Sequence, residues 1–212
     1  MFKISKKVVT LVSIALTIVL VFLMVWLNIR DTGSTVKVFM LEGLITDSSS
    51  ATGITPKLAR GYLDSTQDVG AIVVRINSPG GSVTASQEIL DQLDRFKDKT
   101  GIPIIVSLGE SATSGGYYIA LGGDRIIANP GTLTGSIGVI SQFICLEGLL
   151  EKLGLEREIV KSGKYKDIGV LPLTEDQLSI MQKLSDTVYN QFVTEVATRR
   201  NFSYKLIVNG IT

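Results

Sequence analysis

Short continuous apolar runs alternate along this chain with segments of helical periodicity. GAIVVRI at residues 70–76 and IPIIVSL at residues 102–108 are rich in β-branched residues, which is typical of strands buried on both faces of a parallel sheet. Between them, residues 83–96 place their apolar side chains on one helical face. Strands that alternate with helices predict an α/β domain with a largely parallel sheet.

The same patterns predict the other elements. Further strands are predicted at residues 36–43, 125–129 and 156–162. Helices are predicted at residues 55–66, 115–121, 144–153 with Gly154 just beyond the end, and 174–199. The last helix carries a capping-box pattern, with Thr174 as N-cap and Gln177 three residues later.

An uncharged segment precedes this domain. Residues 8–29 form a 22-residue run without a charged side chain, which as a helix spans about 33 Å and matches a bilayer core. Lys3, Lys6 and Lys7 precede it, so the positive-inside rule places the N-terminus in the cytoplasm and the rest outside. A cleaved signal peptide is less favoured, because its apolar core is usually shorter and no A-x-A-like site follows. The expected organisation is an N-terminus and anchor over 1–30, a linker over 31–35 and a domain over 36–212.

Composition excludes several kinds of chemistry. The chain has no histidine and one cysteine, which excludes Ser-His-Asp and Cys-His pairs, histidine metal sites and an intrachain disulfide. The net charge is +1, so no basic surface indicates nucleic-acid binding. We expect no metal and no cofactor. A hydrolase of this composition must activate its nucleophile without histidine.

Three glycine-marked turns follow predicted strands, where sites of parallel α/β folds collect. In NSPGGS at residues 77–82, two glycines before a helix expose backbone N–H groups suited to an oxyanion, although a plain strand-to-helix turn is equally compatible. In SATSGGYY at residues 111–118, a serine before Gly-Gly follows the logic of a nucleophile elbow. Composition alone leaves Ser111, Thr113 and Ser114 open as the nucleophile, and helix capping is the common role of such a serine.

The third turn, KSGKYKD at residues 161–167, holds three lysines. Without histidine, a lysine is the natural general base for a serine nucleophile. Lysine has a usual pKa of about 10.4, so burial or its neighbours must lower that value. A solvated basic loop is the alternative role, and it must hold for two of the three lysines.

The segments INSPGGSV, SATSGGYYIA, ANPGTLTGSIGVI and KSGKYKDIG, in this order, resemble signal peptide peptidases of the bacterial SppA type in peptidase family S49. The resemblance runs from about residue 36 to about residue 204. It implies a Clp-protease/crotonase-like α/β fold with repeated strand-strand-helix units. It also implies a ring-like homo-oligomer at the bacterial cell membrane that cleaves remnant signal peptides.

The resemblance further implies a Ser-Lys dyad. The nucleophile position falls on Ser114, and the general base falls on Lys166 rather than on Lys161 or Lys164.

The remaining site positions also come from the resemblance. Gly80, Gly81 and Gly115 correspond to contributors to an oxyanion hole, and Ser136 corresponds to a serine that orients the lysine amine.

The C-terminal KLIVNGIT departs from the pattern of the family, which leads us to expect a C-terminally truncated peptidase domain. Two other functions stay open at this point. One is an inactive membrane-anchored remnant that binds peptides or partner subunits. The other is a crotonase-fold acyl-CoA enzyme, which the apolar N-terminal segment disfavours.

Overall fold

The computed structural model describes residues 15–21, 23–24, 35–46, 69–170 and 172–208. Most of the predicted membrane segment, residues 8–29, lies outside these residues, although 15–21 and 23–24 are helical. In the described part of the chain, no helix has the length and apolar character needed to cross a membrane. The membrane anchor and the domain boundaries therefore stay predictions, and the helix predicted at 55–66 lies outside the described residues.

Five strands form one sheet within the described residues. They are β1 (Thr35–Glu42), β2 (Val69–Ser78), β3 (Ile104–Thr113), β4 (Arg125–Ile127) and β5 (Leu133–Gly135). The order is β1-β2-β3-β4, and β5 pairs with β3. The β2–β3, β3–β4 and β3–β5 pairs are all parallel. The predicted α/β class with a parallel sheet is confirmed.

Helices follow the strands much as predicted. They are α1 (Val83–Thr100), α2 (Gly115–Ala120), α3 (Glu147–Lys152), α4 (Glu175–Arg200) and α5 (Tyr204–Val208). The α1 helix begins where the Ser82 hydroxyl accepts the N–H of Ala85, and it ends at Gly101 with φ 67°. The α4 helix begins at the predicted capping box of Thr174 and Gln177. Side-chain caps of this kind satisfy backbone N–H groups that a helix leaves open.

Two apolar clusters share α1. One face of α1 packs on the sheet, where Ile89 and Leu93 meet strand residues such as Val74, and all three side chains are fully buried. The other face carries Leu90, which packs with residues of α4 such as Val193. The layers are therefore sheet, α1 and then α4, and the ends of β2 and β3 meet the helix starts at one edge.

The prediction of a strand at residues 156–162 is wrong. The described residues between β5 and α4 contain the short helix α3 but no strand, and Val160 is fully exposed. A strand forms when a neighbouring strand supplies backbone partners, and its propensity depends on that packing. The helix predicted at 144–153 is shorter than expected, and Gly154 after it has φ 67°.

Candidate active site

Ser114 alone joins β3 to α2 and has a constrained backbone. Its φ is 52° and its ψ is −122°, a conformation that costs a non-glycine residue about 1–3 kcal/mol. Its N–H donates to the carbonyl of Gly135 at 2.8 Å, and its carbonyl accepts the N–H of Tyr118 at 2.9 Å. Contacts on both sides hold the serine at the sharp strand-to-helix elbow that the sequence predicts.

The Pro79-Gly80-Gly81 turn lies directly against this elbow. A Cβ on Gly80, where φ is 96°, would lie 2.7 Å from the Gly115 nitrogen and 2.8 Å from the Ser114 Cβ. A Cβ on Gly81, where φ is 151°, would lie 2.8 Å from the Ile45 nitrogen. Real Cβ atoms do not approach other atoms so closely. Glycine is therefore required at Gly80 for the turn to approach the elbow, and at Gly81 for the turn to approach the backbone of Ile45.

Polar side chains fasten the turn to the end of β3. The Thr113 hydroxyl donates to the Pro79 carbonyl at 3.1 Å, and the Ser111 hydroxyl donates to the Ser78 carbonyl at 3.5 Å. The Gly80 N–H donates to the Ser78 hydroxyl at 3.0 Å. Ser111 and Thr113, which composition left open as nucleophiles, thus hold the turn in place.

Ser114 opens into a pocket between the turn and α4. The pocket is lined by Gly81, Val83, Ser86, Gln87, Ser114, Gly115, Tyr118, Gly138, Val139, Val188 and Phe192. Among the described residues, no protein acceptor takes the N–H of Gly81 or Gly115. Residues that carry two unused donors and a hydroxyl therefore line the same pocket, and an acyl-transfer site requires such groups.

Ser86 belongs to this pocket although it is not among the predicted site residues. Ser86 is buried and contacts Gly115 closely, and its hydroxyl donates to the Ser82 carbonyl at 2.8 Å. Tyr118 packs edge-on against Phe192 of α4, with ring centroids 5.1 Å apart. The spacing of Ser82 and Ser86, four residues apart on one helical face, was an available signal.

The register of β5 brings Ser136 next to Ser114. Thr113 pairs with Gly135 in the parallel β3–β5 ladder, so the following residues, Ser114 and Ser136, leave the two strands side by side. Both have positive φ values, 52° and 53°. This neighbourhood is compatible with the orienting role that the resemblance implies for Ser136.

The three lysines of the third turn differ in their partners. The Lys161 ammonium lies 2.5 Å from the Asp167 carboxylate, and the Lys164 ammonium lies 3.0 Å from the Asp176 carboxylate. The Lys166 ammonium forms no ion pair or hydrogen bond with any residue that the structure describes. Within the described residues, Lys161 and Lys164 are therefore ion-paired and Lys166 is not.

Lys166 nevertheless lies apart from the pocket in this structure. Its side chain is exposed, and it is not among the residues that line the pocket of Ser114. The hydrogen bond with Tyr165 and the one with Asp176 raise the pKa of Lys164, which keeps that neighbour protonated.

The predicted site residues therefore fall into two groups. The structure brings together Gly80, Gly81, Gly115, Ser114 and Ser136, and it does not bring Lys166 to them.

Within the described residues, no cluster of three or more His, Cys, Asp or Glu side chains is arranged to hold a metal ion.

Comparison with known families decides the assignment. The model of Peptidase family S49 matches residues 96–210, a range that contains both Ser114 and Lys166. The chain belongs to peptidase family S49. A second model, Clp protease, matches residues 26–132. The resemblance to this family that the sequence predicts is confirmed, and the membership disfavours the acyl-CoA enzyme.

Individual relatives agree with the family. A protein of Synechocystis is 47% identical over 139 residues, covering 65% of this chain and 50% of that protein. Protease 4 of Salmonella typhi is 37% identical over 175 residues, covering 80% of this chain and 28% of that protein. The chain thus spans half or less of the length of these two relatives.

A solved structure supports the fold. A mutant of ClpP1 from Listeria monocytogenes superimposes with a TM-score of 0.52 at 18% identity, covering 84% of this chain and 78% of that one. At this identity the likeness concerns the fold alone, and it agrees with the predicted Clp-protease-like architecture.

Proposed function

We propose that this protein is a serine endopeptidase in which Ser114 is the nucleophile and Lys166 is the general base. The observation that carries the proposal is the setting of Ser114. It occupies a constrained elbow at a pocket that also holds the unused N–H groups of Gly81 and Gly115. Preorganised donors beside a nucleophile are what acyl transfer to a hydroxyl needs.

The reaction runs in two halves. Neutral Lys166 takes the hydroxyl proton of Ser114 while the Ser114 Oγ attacks the peptide carbonyl. The N–H groups of Gly81 and Gly115 then donate hydrogen bonds to the oxyanion. Lys166, now an ammonium, protonates the amine that leaves, and water then hydrolyses the acyl-enzyme. Gly80 contributes by letting the turn approach the elbow, since its own N–H is engaged with Ser78.

The lysine must be neutral for the first half. At a usual pKa of about 10.4, only about one lysine in 2,500 is neutral at pH 7, and lowering the pKa to about 7.5 requires roughly 4 kcal/mol. Entry of Lys166 into the pocket would desolvate its ammonium and supply this effect. Ser136 would orient the amine there. The entry requires either movement of the Lys166 loop or association of two copies of the chain.

We assign remnant signal peptides or other membrane-associated peptides as substrates. Val83, Val139, Val188 and Phe192 give the pocket an apolar lining, which suits side chains from apolar peptide segments. Residues 8–29 would anchor the chain in a bacterial cell membrane, with the N-terminus in the cytoplasm and the peptidase domain outside. A homo-oligomer is the proposed assembly, and no cofactor is involved.

The test is cleavage of an apolar fluorogenic peptide between pH 6 and pH 10. We expect the wild-type chain to cleave it with a rate that rises through a pKa well below 10.4. Ser114→Ala and Lys166→Ala should each lower kcat by at least about a thousandfold, since the members of such a unit act together. Lys164→Ala, which removes an exposed and paired lysine, is the matched control and should retain activity.

The same variants separate the alternatives. If all of them fold, as judged by circular dichroism, and none cleaves, the protein is an inactive remnant. Mixing Ser114→Ala with Lys166→Ala distinguishes the two routes by which Lys166 reaches the pocket. Recovered activity indicates that two copies complete the dyad, and no recovery indicates movement within one chain.

A further inference from the structure

A buried carboxylate follows the proposed base directly and has no role in the reaction above. Asp167 is only 8% exposed, although Lys166 beside it is exposed. One carboxylate oxygen of Asp167 accepts the Lys161 ammonium at 2.5 Å, and the other accepts the Gln177 amide at 3.0 Å. A buried charge is retained when it is paired and hydrogen-bonded in this way.

These contacts connect the loop of the base to the wall of the pocket. Gln177 is itself buried and completes the capping box at the start of α4. About four turns further along the same helix, Phe192 lines the pocket of Ser114. Asp167 therefore joins the loop that carries Lys166 to a helix that forms part of the pocket.

Lys161, at the start of the loop that carries Lys166, contacts two later residues of the same loop. In addition to its contact with Asp167, its ammonium donates to the Lys164 carbonyl at 3.3 Å. The backbone turns through the same segment, where the Lys166 N–H donates to the Gly163 carbonyl at 3.3 Å. Residues 161–167 are thus held together by hydrogen bonds and an ion pair among themselves. Of the three lysines in this segment, Lys166 is the one whose ammonium has no ion-pair partner among the described residues.

Asp167 is the residue next to the proposed base along the chain, and its carboxylate carries a negative charge. An opposite charge within about 4–6 Å stabilises a lysine in its protonated form, which would oppose its action as a base. The hydrogen bond from Lys161 holds the pKa of Asp167 below its usual range, so this carboxylate is ionised at neutral pH. Lys161 compensates that charge, and Lys166 has no carboxylate of its own to pair with among the described residues.

Other charged groups near the loop are already engaged or lie to one side. Lys164 pairs with Asp176 at the start of α4, where Glu175 is its exposed neighbour. Tyr165 lies under the Lys164 ammonium, 4.8 Å from ring centroid to nitrogen. Arg157 donates to a backbone carbonyl after the loop, that of Val170. Asp167 is the carboxylate that directly follows the base in the sequence, and the Asp176 carboxylate is already paired with Lys164.

We propose that Asp167 and Lys161 are positioning residues for Lys166. Lys161 forms an ion pair with the Asp167 carboxylate, which therefore does not pair with the base. Asp167 also connects the loop that carries Lys166 to the start of α4 through Gln177. The inference rests on the proposed function, because it assigns these residues through their effect on Lys166.

The test measures the protonation of Lys166 directly, in the full 212-residue chain. Competitive acetylation of lysine amines between pH 6 and pH 11, read by peptide mass spectrometry, gives a labelling curve for Lys166. In Lys161→Met the freed carboxylate pairs with Lys166, so the curve should move up by about one pH unit, which is about tenfold less neutral amine at pH 8. The double variant Lys161→Met/Asp167→Asn should return to the wild-type curve.

Controls separate this effect from loss of structure. Lys161→Arg keeps the ion pair and should leave the labelling curve in place, as should Lys164→Met, which removes an exposed pair. Asp167→Asn keeps the shape of the side chain, and we expect it to lower kcat about tenfold with KM unchanged. An unshifted curve in Lys161→Met, or a double variant that stays shifted, would overturn the inference.

Failure of the proposed function is a separate outcome. A wild-type chain without peptidase activity, or an active Lys166→Ala variant, would contradict the role of Lys166 as a base. The labelling curves do not depend on turnover, so they test the effect of Lys161 and Asp167 on Lys166 in either case.

Discussion

The two halves of the proposed site are built by different means. The nucleophile half consists of the Gly80-Gly81 turn and the Ser114 elbow, and backbone hydrogen bonds and the pairing of β3 with β5 fix it. The lysine half, residues 155–170, contains no strand, and side-chain contacts such as Lys161 with Asp167 hold it. The comparison teaches that strand pairing and backbone hydrogen bonds hold the first half, whereas the second half depends on contacts between charged side chains in addition to its local backbone turns.

Burial follows the same division. Behind the elbow, Ala112 and Ile119 are fully buried. On the way to the lysine half and within it, Ile140, Ile144 and Val160 are 92%, 75% and 102% exposed. We therefore expect changes of volume to be harmful in the nucleophile half and tolerated in the other, where changes of charge should matter more.

The largest effect is expected at Gly81. A Cβ there collides with the backbone of Ile45, and the φ of 151° disfavours other residues. Overpacking and backbone strain together should lower the free energy of unfolding by about 4 kcal/mol in Gly81→Ala. Urea denaturation measures this, with Gly131→Ala as control, because a Cβ at Gly131 meets no atom within 4 Å. Equal losses in the two variants would contradict the close approach of the turn.

The next prediction compares two isoleucines. Ile119 of α2 is fully buried behind the elbow, whereas Ile144 is 75% exposed. Truncation of a buried isoleucine to alanine removes apolar contacts and leaves a cavity, so Ile119→Ala should cost about 3 kcal/mol. Ile144→Ala should change the free energy of unfolding by less than about 0.5 kcal/mol. Urea denaturation of both variants provides the comparison, and a large loss in Ile144→Ala would mean that packing also holds the segment that leads to the lysine half.

The smallest effect concerns acid stability. Because Lys161 lowers the pKa of Asp167, the carboxylate stabilises the fold above its unfolded pKa of about 3.9, and this contribution disappears as the pH falls through the lower folded value. Thermal unfolding of wild type and Asp167→Asn between pH 2 and pH 6 measures it. The difference in Tm should be constant above about pH 4 and shrink below it. A difference in Tm that does not depend on pH would mean that the charge of Asp167 does not contribute to stability.

The predictable features are those that local patterns encode. The β-branched run of β2, the apolar face of α1 and the capping box of Thr174 and Gln177 were each visible in the sequence, because each depends on near neighbours along the chain. The turn at residues 111–118 was visible for the same reason, whereas the choice of Ser114 over Ser111 and Thr113 came from the resemblance.

Features that depend on distant partners were not predictable. The three-residue strand β5 is too short for a pattern, although its register places Ser136 beside Ser114. The strand at 156–162 was predicted from propensity, which cannot show that a neighbouring strand is missing. The partners that distinguish Lys161 and Lys164 from Lys166 are set by tertiary contacts.

The central claim is that Ser114 is a nucleophile activated by Lys166. A fluorophosphonate probe, which phosphonylates activated serines, tests it most directly, with the modified residue located by peptide mass spectrometry. We predict modification of Ser114 in the wild-type chain, none at Ser111, and none at Ser114 in folded Lys166→Ala. Modification of another serine, or labelling of Ser114 that persists in Lys166→Ala, would contradict the account.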